Sequence, residues 1–437
     1  MSDSYTVLSE MASSEAYTAR GVRMRDHFFT VPLDHAHPEG PTIEVFARAL
    51  SDARVDADEL PWLLFLQGGP GGRGNRPAGL SGWLAEAAKH FRVLMLDQRG
   101  TGLSTPATRQ TLPLAGDVAA QADYLSHFRA TDIVADAELI RATLGSEPWS
   151  IFGQSYGGFC ALTYLSFAPE GVREALITGG LGPLTGPADQ VYQATFDRLR
   201  TRNAEYFAKY PEDRELLTHI MRHTSEVEEL LPTGERLTPE RVQMLGSFLG
   251  GNTRFDALHF VLEDAFTPTL DGVRLSDTFL STVSAYVSRA ANPLYALMHE
   301  SIYVQDSPSD WAAARVLALN PDFLPDAPEP LLTGEAIYPW YFEQDPALVP
   351  LKGLADVLAA RTEGWGPLYD VAQLAKNTVP VAAAVYSDDI FVDREISMAT
   401  AAAVKGLQVW ETADFHHDGI ADDGEGIFAR LLGMVRA

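Results

Sequence analysis

Cysteine, basic residues and long apolar runs are all scarce in this chain of 437 residues. Its single cysteine, Cys160, excludes an internal disulfide and is compatible with a reducing compartment, so we expect a cytoplasmic protein in which this thiol serves packing. With 33 Lys and Arg against 59 Asp and Glu, the formal net charge of −26 argues against nucleic-acid binding. No apolar run approaches the roughly 20 residues that cross a bilayer. Because residues 1–10 also lack a signal-peptide pattern, we expect neither membrane insertion nor export.

Short apolar runs alternate with amphipathic patterns in the first part of the chain. Ile133, Ala137, Ile140 and Leu144, for example, fall on one face of a helix. Such alternation predicts an α/β fold with a mostly parallel sheet and right-handed crossovers. The predicted strands are residues 43–47, 62–66, 93–96, 149–152 and 175–178, followed late in the chain by 379–386 and 407–410.

The middle of the chain has a different character. Residues 187–376 show helical patterns, such as 191–210 and 239–249, separated by proline-rich loops and without strand–helix alternation. The strand pattern returns afterwards. We therefore expect one α/β domain built from residues 1–186 and 377–437, interrupted by a large helical cap domain at 187–376 before the last strands.

The pentapeptide Gly153-Gln154-Ser155-Tyr156-Gly157 is the most informative motif. It joins a predicted strand to a helical pattern, and a G-x-S-x-G sequence in that position is a nucleophile elbow. The glycines permit a tight turn that a β-carbon would obstruct, and the turn exposes the serine hydroxyl above the sheet edge. Ser155 is therefore the candidate nucleophile.

A serine nucleophile needs a base and a carboxylate that orients the base, and elbow hydrolases supply them in the chain order Ser, Asp or Glu, His. Asp388 and Asp389 follow one late strand, and His416 and His417 follow the last predicted strand. The order fits, and either member of each pair is a candidate. A solvated histidine pair, or an adventitious metal site, is the competing interpretation; no other spacing in the sequence suggests a zinc site.

Two glycine-containing segments extend the predicted site. Residues 67–72 (QGGPGG) follow a strand, and N–H groups of such a turn can stabilise a developing oxyanion together with the N–H of Tyr156. The segment lacks the Gly-Lys-Ser/Thr ending of a phosphate-binding loop. Residues 97–104 (DQRGTGLS) follow the next strand, and we expect Arg99 to brace the oxyanion loop through charge-assisted hydrogen bonds.

Taken together, these motifs resemble those of the prolyl aminopeptidases (proline iminopeptidases), a family of serine peptidases in the α/β-hydrolase superfamily. The series GGPG, DQRGTGLS and GQSYGG carries the resemblance. Three further segments are similar to the larger bacterial type of the family, and the likeness extends over most of the chain. These segments are 299–303 (HESIY), 333–340 (TGEAIYPW) and 385–389 (VYSDD).

The resemblance implies a serine exopeptidase that releases N-terminal proline from peptides, with a helical cap over the sheet. It assigns Ser155 as the nucleophile, His417 as the general base and Asp389 as the carboxylate that orients it. Asp389 is preferred to Asp388 because it stands three residues beyond Tyr386, the offset that the family's strand-end motif has.

The resemblance also assigns groups that bind the substrate. Gly69 and Tyr156 would supply the oxyanion N–H groups, while Glu300, and second to it Glu335, would bind the free amine from the cap. The family's oxyanion motif usually begins with His, where this chain has Gln67. Because the donors are backbone groups, we expect activity to survive this difference.

Two alternatives remain beside the aminopeptidase. The same scaffold supports an esterase or amidase of broader specificity, since ester and peptide hydrolysis share the serine mechanism and the cap decides between them. A catalytically silent binding protein is the alternative of another class, which the intact Ser155 and His417 disfavour. For the aminopeptidase we expect no metal and no organic cofactor, and peptides with a free N-terminal proline as partners, not nucleic acid or membrane.

Overall fold

The computed structural model describes residues 10–251, 254–270, 272–305 and 307–437, apart from the side chain of Asp58. The prediction on export concerns residues 1–10, of which 1–9 lie outside these ranges. Within the described chain, ten strands form one sheet and two form a separate hairpin. The strands are β1 (Met11–Ser13), β2 (Tyr17–Ala19), β3 (Val22–Pro32), β4 (Thr42–Asp52), β5 (Trp62–Leu66), β6 (Arg92–Leu96), β7 (Trp149–Gln154), β8 (Val172–Thr178), β9 (Phe266–Thr269), β10 (Gly272–Leu275), β11 (Val381–Tyr386) and β12 (Leu407–Thr412).

The main sheet has the order β1-β3-β4-β6-β5-β7-β8-β11-β12, with β2 also paired to β3. The strands from β6 to β12 along this order run parallel, whereas β1 to β4 are antiparallel. The central strands are almost entirely buried because helices cover both faces, which explains their continuous apolar sequences. The predicted α/β fold with a mostly parallel sheet is confirmed.

Most helices of the described chain lie between β8 and β11. We call residues 187–376 the cap; that they form a separate domain remains a proposal. The helices before the cap are α1 (Gly82–Ala87), α2 (Val118–Ser126), α3 (Ala130–Thr143) and α4 (Tyr156–Phe167). Those of the cap are α5 (Ala188–Lys209), α6 (Glu212–Glu226), α7 (Pro239–Gln243), α8 (Arg254–Glu263), α9 (Asp277–Val287), α10 (Pro293–Met298), α11 (Ala312–Leu317), α12 (Tyr341–Gln344), α13 (Lys352–Ala360) and α14 (Val371–Leu374), and those after it are α15 (Arg394–Ala403) and α16 (Gly419–Arg436).

Two details of the cap differ from the expectation. It contains the hairpin β9–β10 in addition to helices. The predicted helix 239–249 ends early: α7 stops at Gln243 and a 3₁₀ helix, Met244–Gly250, follows. Gly246 packs so closely on Thr333 that a β-carbon would lie 1.8 Å from the Thr333 carbonyl oxygen. This contact with a neighbouring segment outweighs the local helical pattern.

The structure also shows the environment of the single cysteine and the packing of the last helix. Cys160 is fully buried in α4, and burial raises the pKa of its thiol to about 12, in agreement with the predicted packing role. The last helix, α16, packs against α1 and the sheet. Among the described residues no helix combines the length and apolarity needed to cross a membrane.

Candidate active site

Ser155 lies at the turn between β7 and α4, with φ of 54° and ψ of −124°. A positive φ is costly for a residue with a side chain, so the surrounding contacts must impose it. The Ser155 N–H donates to the carbonyl of Thr178 at 3.0 Å, and its own carbonyl accepts from the Gly158 N–H at 2.7 Å. The turn therefore presents the serine at the carboxyl ends of the parallel strands.

Two glycines of the elbow have no room for a side chain. A β-carbon on Gly153 would lie 2.3 Å from the carbonyl oxygen of Gly157. One on Gly157 would lie 1.9 Å from the carbonyl oxygen of Leu66, at the end of β5. The pattern G-x-S-x-G thus reflects the close approach of α4 to the neighbouring strand.

The glycine-rich loop after β5 runs directly past Ser155. A β-carbon on Gly68 would lie 3.0 Å from Ser155 Cβ, and Gly69 has φ of 145°, a conformation that favours glycine. In the described part of the chain, the N–H groups of Gly69 and Tyr156 donate to no protein acceptor. Tyr156 begins α4, where the first N–H groups have no partner within the helix. Both donors are therefore available to a ligand oxygen.

Gln98 and Asp97 hold this loop in place. Gln98 Nε2 donates to the carbonyl of Gln67 at 3.0 Å, and Asp97 Oδ1 accepts from the Gly74 N–H at 2.9 Å. Gln67, at the position where the resemblance usually implies His, thus contributes a backbone carbonyl to the contact.

The prediction that Arg99 braces the loop is wrong. Its buried guanidinium donates to Asp136 on α3, with 2.7 Å from Nε to Oδ2, and to the carbonyls of Leu33 and His127. A buried cation requires a counter-charge and hydrogen-bond acceptors. For Arg99 these come from α3 and from the segments that follow β3 and α2, not from the oxyanion loop. Arg99 therefore fastens its own loop to α3 and to the end of β3.

His417 lies between Ser155 and Asp389. Its Nε2 is 2.9 Å from Ser155 Oγ, and its Nδ1 is 2.8 Å from Asp389 Oδ2. The second carboxylate oxygen, Oδ1, accepts the N–H groups of Phe391 at 2.8 Å and Val392 at 3.0 Å. These bonds fix the carboxylate, which in turn orients the imidazole with Nε2 toward the hydroxyl.

The neighbouring residues of each pair have other contacts. Asp388 Oδ1 accepts from Arg198 Nη1 at 3.0 Å. His416 is buried, and its Nδ1 has no partner among the described residues. Burial, followed by the charge of Arg202, lowers the pKa of His416. Neither Asp388 nor His416 forms a hydrogen bond to Ser155 among the described contacts.

The environment of His417 predicts the acid side of the pH profile. Burial would lower its pKa, but the charge and hydrogen bond of Asp389 outweigh burial and raise it above the ordinary 6.5. Since the base must be neutral, kcat/KM should fall as the pH drops through this raised value. Rates measured between about pH 5 and 9 should show half-loss above 6.5, and a lower midpoint for the residual activity of Asp389→Asn. A midpoint below 6.5 that this substitution does not move would contradict the assignment.

The negative charge of Glu335, a carboxylate of the cap, helps to raise the pKa of His417. Its Oε2 accepts from the Tyr295 hydroxyl at 2.8 Å, and its Oε1 lies 3.7 Å from His299 Nε2. Burial would raise the pKa of Glu335, but His299, His417 and Tyr295 together lower it. The side chain is therefore ionised at neutral pH, and 29% of it remains exposed.

Glu300 has a different environment. Its carboxylate oxygens accept the N–H groups of Ala312 at 3.2 Å and Ala313 at 2.9 Å, at the start of α11. Burial raises the pKa of Glu300 although these hydrogen bonds oppose the shift. Both oxygens of Glu300 therefore accept hydrogen bonds from the protein. The order of Glu300 and Glu335 as partners of the substrate amine stays a prediction.

Aromatic residues to which the sequence analysis gave no role pack against one another next to His299. The ring of Tyr303 lies 6.0 Å from those of Phe159 on α4 and Tyr192 on α5. The Tyr192 hydroxyl is 3.1 Å from His299 Nδ1. The motif 299–303 contains His299 and Tyr303, which offered a signal for both, whereas nothing in the sequence distinguished Tyr295 from the other aromatic residues.

The fold and the elbow geometry are those of the α/β hydrolases, and the family model for the alpha/beta hydrolase fold matches residues 61–234. The chain belongs to the proline iminopeptidase family and is a serine aminopeptidase. It is 44% identical over 429 residues to the proline iminopeptidase of Aeromonas sobria. The aligned region covers 98% of this chain and 100% of the relative.

Two further relatives extend the comparison. A proline iminopeptidase of Aspergillus aculeatus is 37% identical over 426 residues, covering 93% of this chain and 92% of its own. A tripeptidyl aminopeptidase of Streptomyces lividans is 26% identical over 205 residues, but these cover only 39% of this chain and 37% of the relative. Full-length similarity is therefore found with the first two, both proline iminopeptidases.

Proposed function

We propose that the protein releases N-terminal proline from peptides through a serine acyl-enzyme. The observation that carries the proposal is the position of His417, 2.9 Å from Ser155 Oγ and 2.8 Å from Asp389 Oδ2. The substrate class comes from the two full-length relatives, each named a proline iminopeptidase.

In the acylation step, Ser155 Oγ attacks the carbonyl carbon of the N-terminal residue and its proton passes to His417 Nε2. Asp389 stabilises the imidazolium that forms. The N–H groups of Gly69 and Tyr156 donate to the oxyanion as the carbonyl carbon becomes tetrahedral. The C–N bond then breaks, and the imidazolium returns its proton to the departing amine.

Deacylation uses the same groups in reverse roles. Water attacks the prolyl ester while His417 accepts its proton, and the ester bond to Ser155 breaks with return of that proton to the serine oxygen. Free proline leaves and the enzyme is restored. Each step is supplied by side chains and backbone groups, so we propose that no metal or organic cofactor takes part.

We propose Glu335 as the principal partner of the substrate amine. An N-terminal proline carries a secondary ammonium, whose desolvation costs several kcal/mol unless an opposite charge compensates it. Glu335 is ionised and partly exposed, and Tyr295 and His299 restrict its orientation. Glu300 is the second candidate, and its contact with α11 stabilises the cap segment on which it lies.

Substitution of Glu335 tests this assignment. Glu335→Gln keeps the shape of the side chain but removes its charge, and losing one partner of a buried charge pair costs about 2–5 kcal/mol. We therefore expect kcat/KM on prolyl-naphthylamide to fall by roughly 30-fold or more, since 1.4 kcal/mol is about tenfold. Hydrolysis of an activated acetate ester, which has no amine, should change by less than about twofold.

Glu300→Gln is the matched variant. It should lower kcat/KM on the prolyl substrate by less than Glu335→Gln does, because the protein already engages both carboxylate oxygens of Glu300. A larger loss at Glu300 than at Glu335 would restore the order expected from the sequence. Equal losses on the amine and the ester substrate would show that the residue acts on the catalytic geometry and not on the amine.

A further inference from the structure

The cap contacts the loop that carries His417 and the loop that carries Asp389. In each loop the contact is made by the residue next to the catalytic one in the sequence. Arg198 on α5 donates from Nη1 to Asp388 Oδ1 at 3.0 Å, and Asp388 precedes Asp389. Arg254 at the start of α8 forms an ion pair with Asp418, with 2.8 Å from Nε to Oδ2, and Asp418 follows His417. Two cap arginines thus pair with the two acidic neighbours of the catalytic residues.

The cap backbone also approaches these loops closely, at Phe391 and at Asp418. The Phe391 N–H donates to Asp389, and its ring meets that of His417 edge-on, with centroids 4.9 Å apart. The cap reaches this ring at Gly250, where a β-carbon would lie 2.2 Å from Phe391 Cε2. A β-carbon on Gly251 would lie 2.7 Å from Asp418 Oδ2. The cap backbone therefore lies directly on both loops.

The energetics of the ion pairs favour a role in geometry over one in stability. Their four side chains are between 19% and 49% exposed, and ion pairs of that exposure typically contribute about 1 kcal/mol or less to folding. The catalytic histidine and aspartate, however, come from separate loops after β12 and β11. An error of about 1 Å in such an arrangement can cost about 100-fold in rate.

We propose that Arg198 and Arg254 are positioning residues, which align the loops of Asp389 and His417. Full reactivity of Ser155 therefore depends on the contact between the cap and these two loops. The inference rests on the proposed roles of the three catalytic residues. It adds that the cap, besides binding the substrate amine, helps to assemble the nucleophile.

The test uses a small uncharged fluorophosphonate, from which the serine oxygen displaces fluoride, because this probe needs no amine recognition. We expect the second-order rate of labelling to fall about 5-fold for Arg198→Ala or Arg254→Ala and about 30-fold for the double variant. Arg200→Ala is the matched control, because Arg200 lies on the same helix but pairs with Asp322 inside the cap, 2.6 Å away. Its labelling rate should stay within about twofold of the wild type.

Two further measurements separate positioning from loss of fold. The exchange Arg198→Asp with Asp388→Arg restores an ion pair of reversed polarity and should recover most of the rate lost in Arg198→Ala.

In the wild type, raising the salt from about 0.05 to 1 M shortens the screening length to about 3 Å and should slow labelling several-fold, with little effect on the double variant. A double variant within about twofold of the wild type, or a wild-type rate independent of salt, would overturn the proposal. Failure of the wild type to be labelled at Ser155 would instead refute the proposed function.

Discussion

Replacing Ser155 by alanine is expected to lower kcat on prolyl-naphthylamide by about 10⁴-fold or more, and His417→Ala should produce a loss of the same size. The losses should match because the two residues act as a unit: the hydroxyl is a weak nucleophile until Nε2, at 2.9 Å, accepts its proton. Steady-state kinetics of the single and double variants provide the measurement. The double variant should be no slower than either single one by more than a small factor.

His416→Ala is the control for the base. The ring of His416 is buried beside the catalytic histidine but forms no hydrogen bond to the serine, so its removal should cost about tenfold at most, through packing alone. If His416→Ala were the more damaging substitution, the roles of the two histidines would be exchanged. Losses that simply multiply in the Ser155 and His417 double variant would contradict a shared proton-transfer step.

Asp389→Asn is the second substitution for which we expect a loss on the order of 10⁴ in kcat, by analogy with the worked serine-protease case. The amide keeps the shape of the carboxylate and can still accept the N–H groups of Phe391 and Val392. It cannot stabilise the imidazolium, and it favours the tautomer of His417 that cannot accept the serine proton. Thermal unfolding of the variant should show that the fold is retained.

The matched control is Asp388→Asn. Asp388 is about one-third exposed and pairs with Arg198, so its substitution should reduce kcat by roughly tenfold or less through the position of the loop. A severe loss at Asp388 together with a mild one at Asp389 would assign the orienting role to Asp388 and contradict the geometry described above.

The sequence predicted the sheet best where the strands are buried on both faces. The predicted strand 62–66 coincides with β5, because such a strand is a continuous apolar run. The long strand β3 was missed, since its sequence VRMRDHFFTVP mixes charged and apolar residues. Its half-buried antiparallel position requires only alternation, which is a weaker signal than a run. The short hairpin β9–β10 of the cap was missed for the same reason.

For the candidate site, the sequence identified the motifs but not the contacts between distant segments. Nothing local to Asp388 and Asp389 reveals that the ring of His417, 28 positions along the chain, meets Asp389 and not Asp388. The engagement of Glu300 by α11, and the pairing of Arg99 with Asp136, likewise depend on residues at least a dozen positions away. These contacts form only when the chain is folded, so residue type and spacing could not supply them.

The central claim is that a serine nucleophile acts on substrates selected by their free N-terminal amine. It is tested most directly by the ratio of kcat/KM for prolyl-naphthylamide to that for its N-acetyl derivative, measured with the wild-type protein. Acetylation removes the charge that Glu335 is proposed to bind and enlarges the group at that position, so the acetylated substrate should react at least about 100-fold more slowly. Equal rates for the two substrates would contradict the account and favour an esterase or amidase of broader specificity.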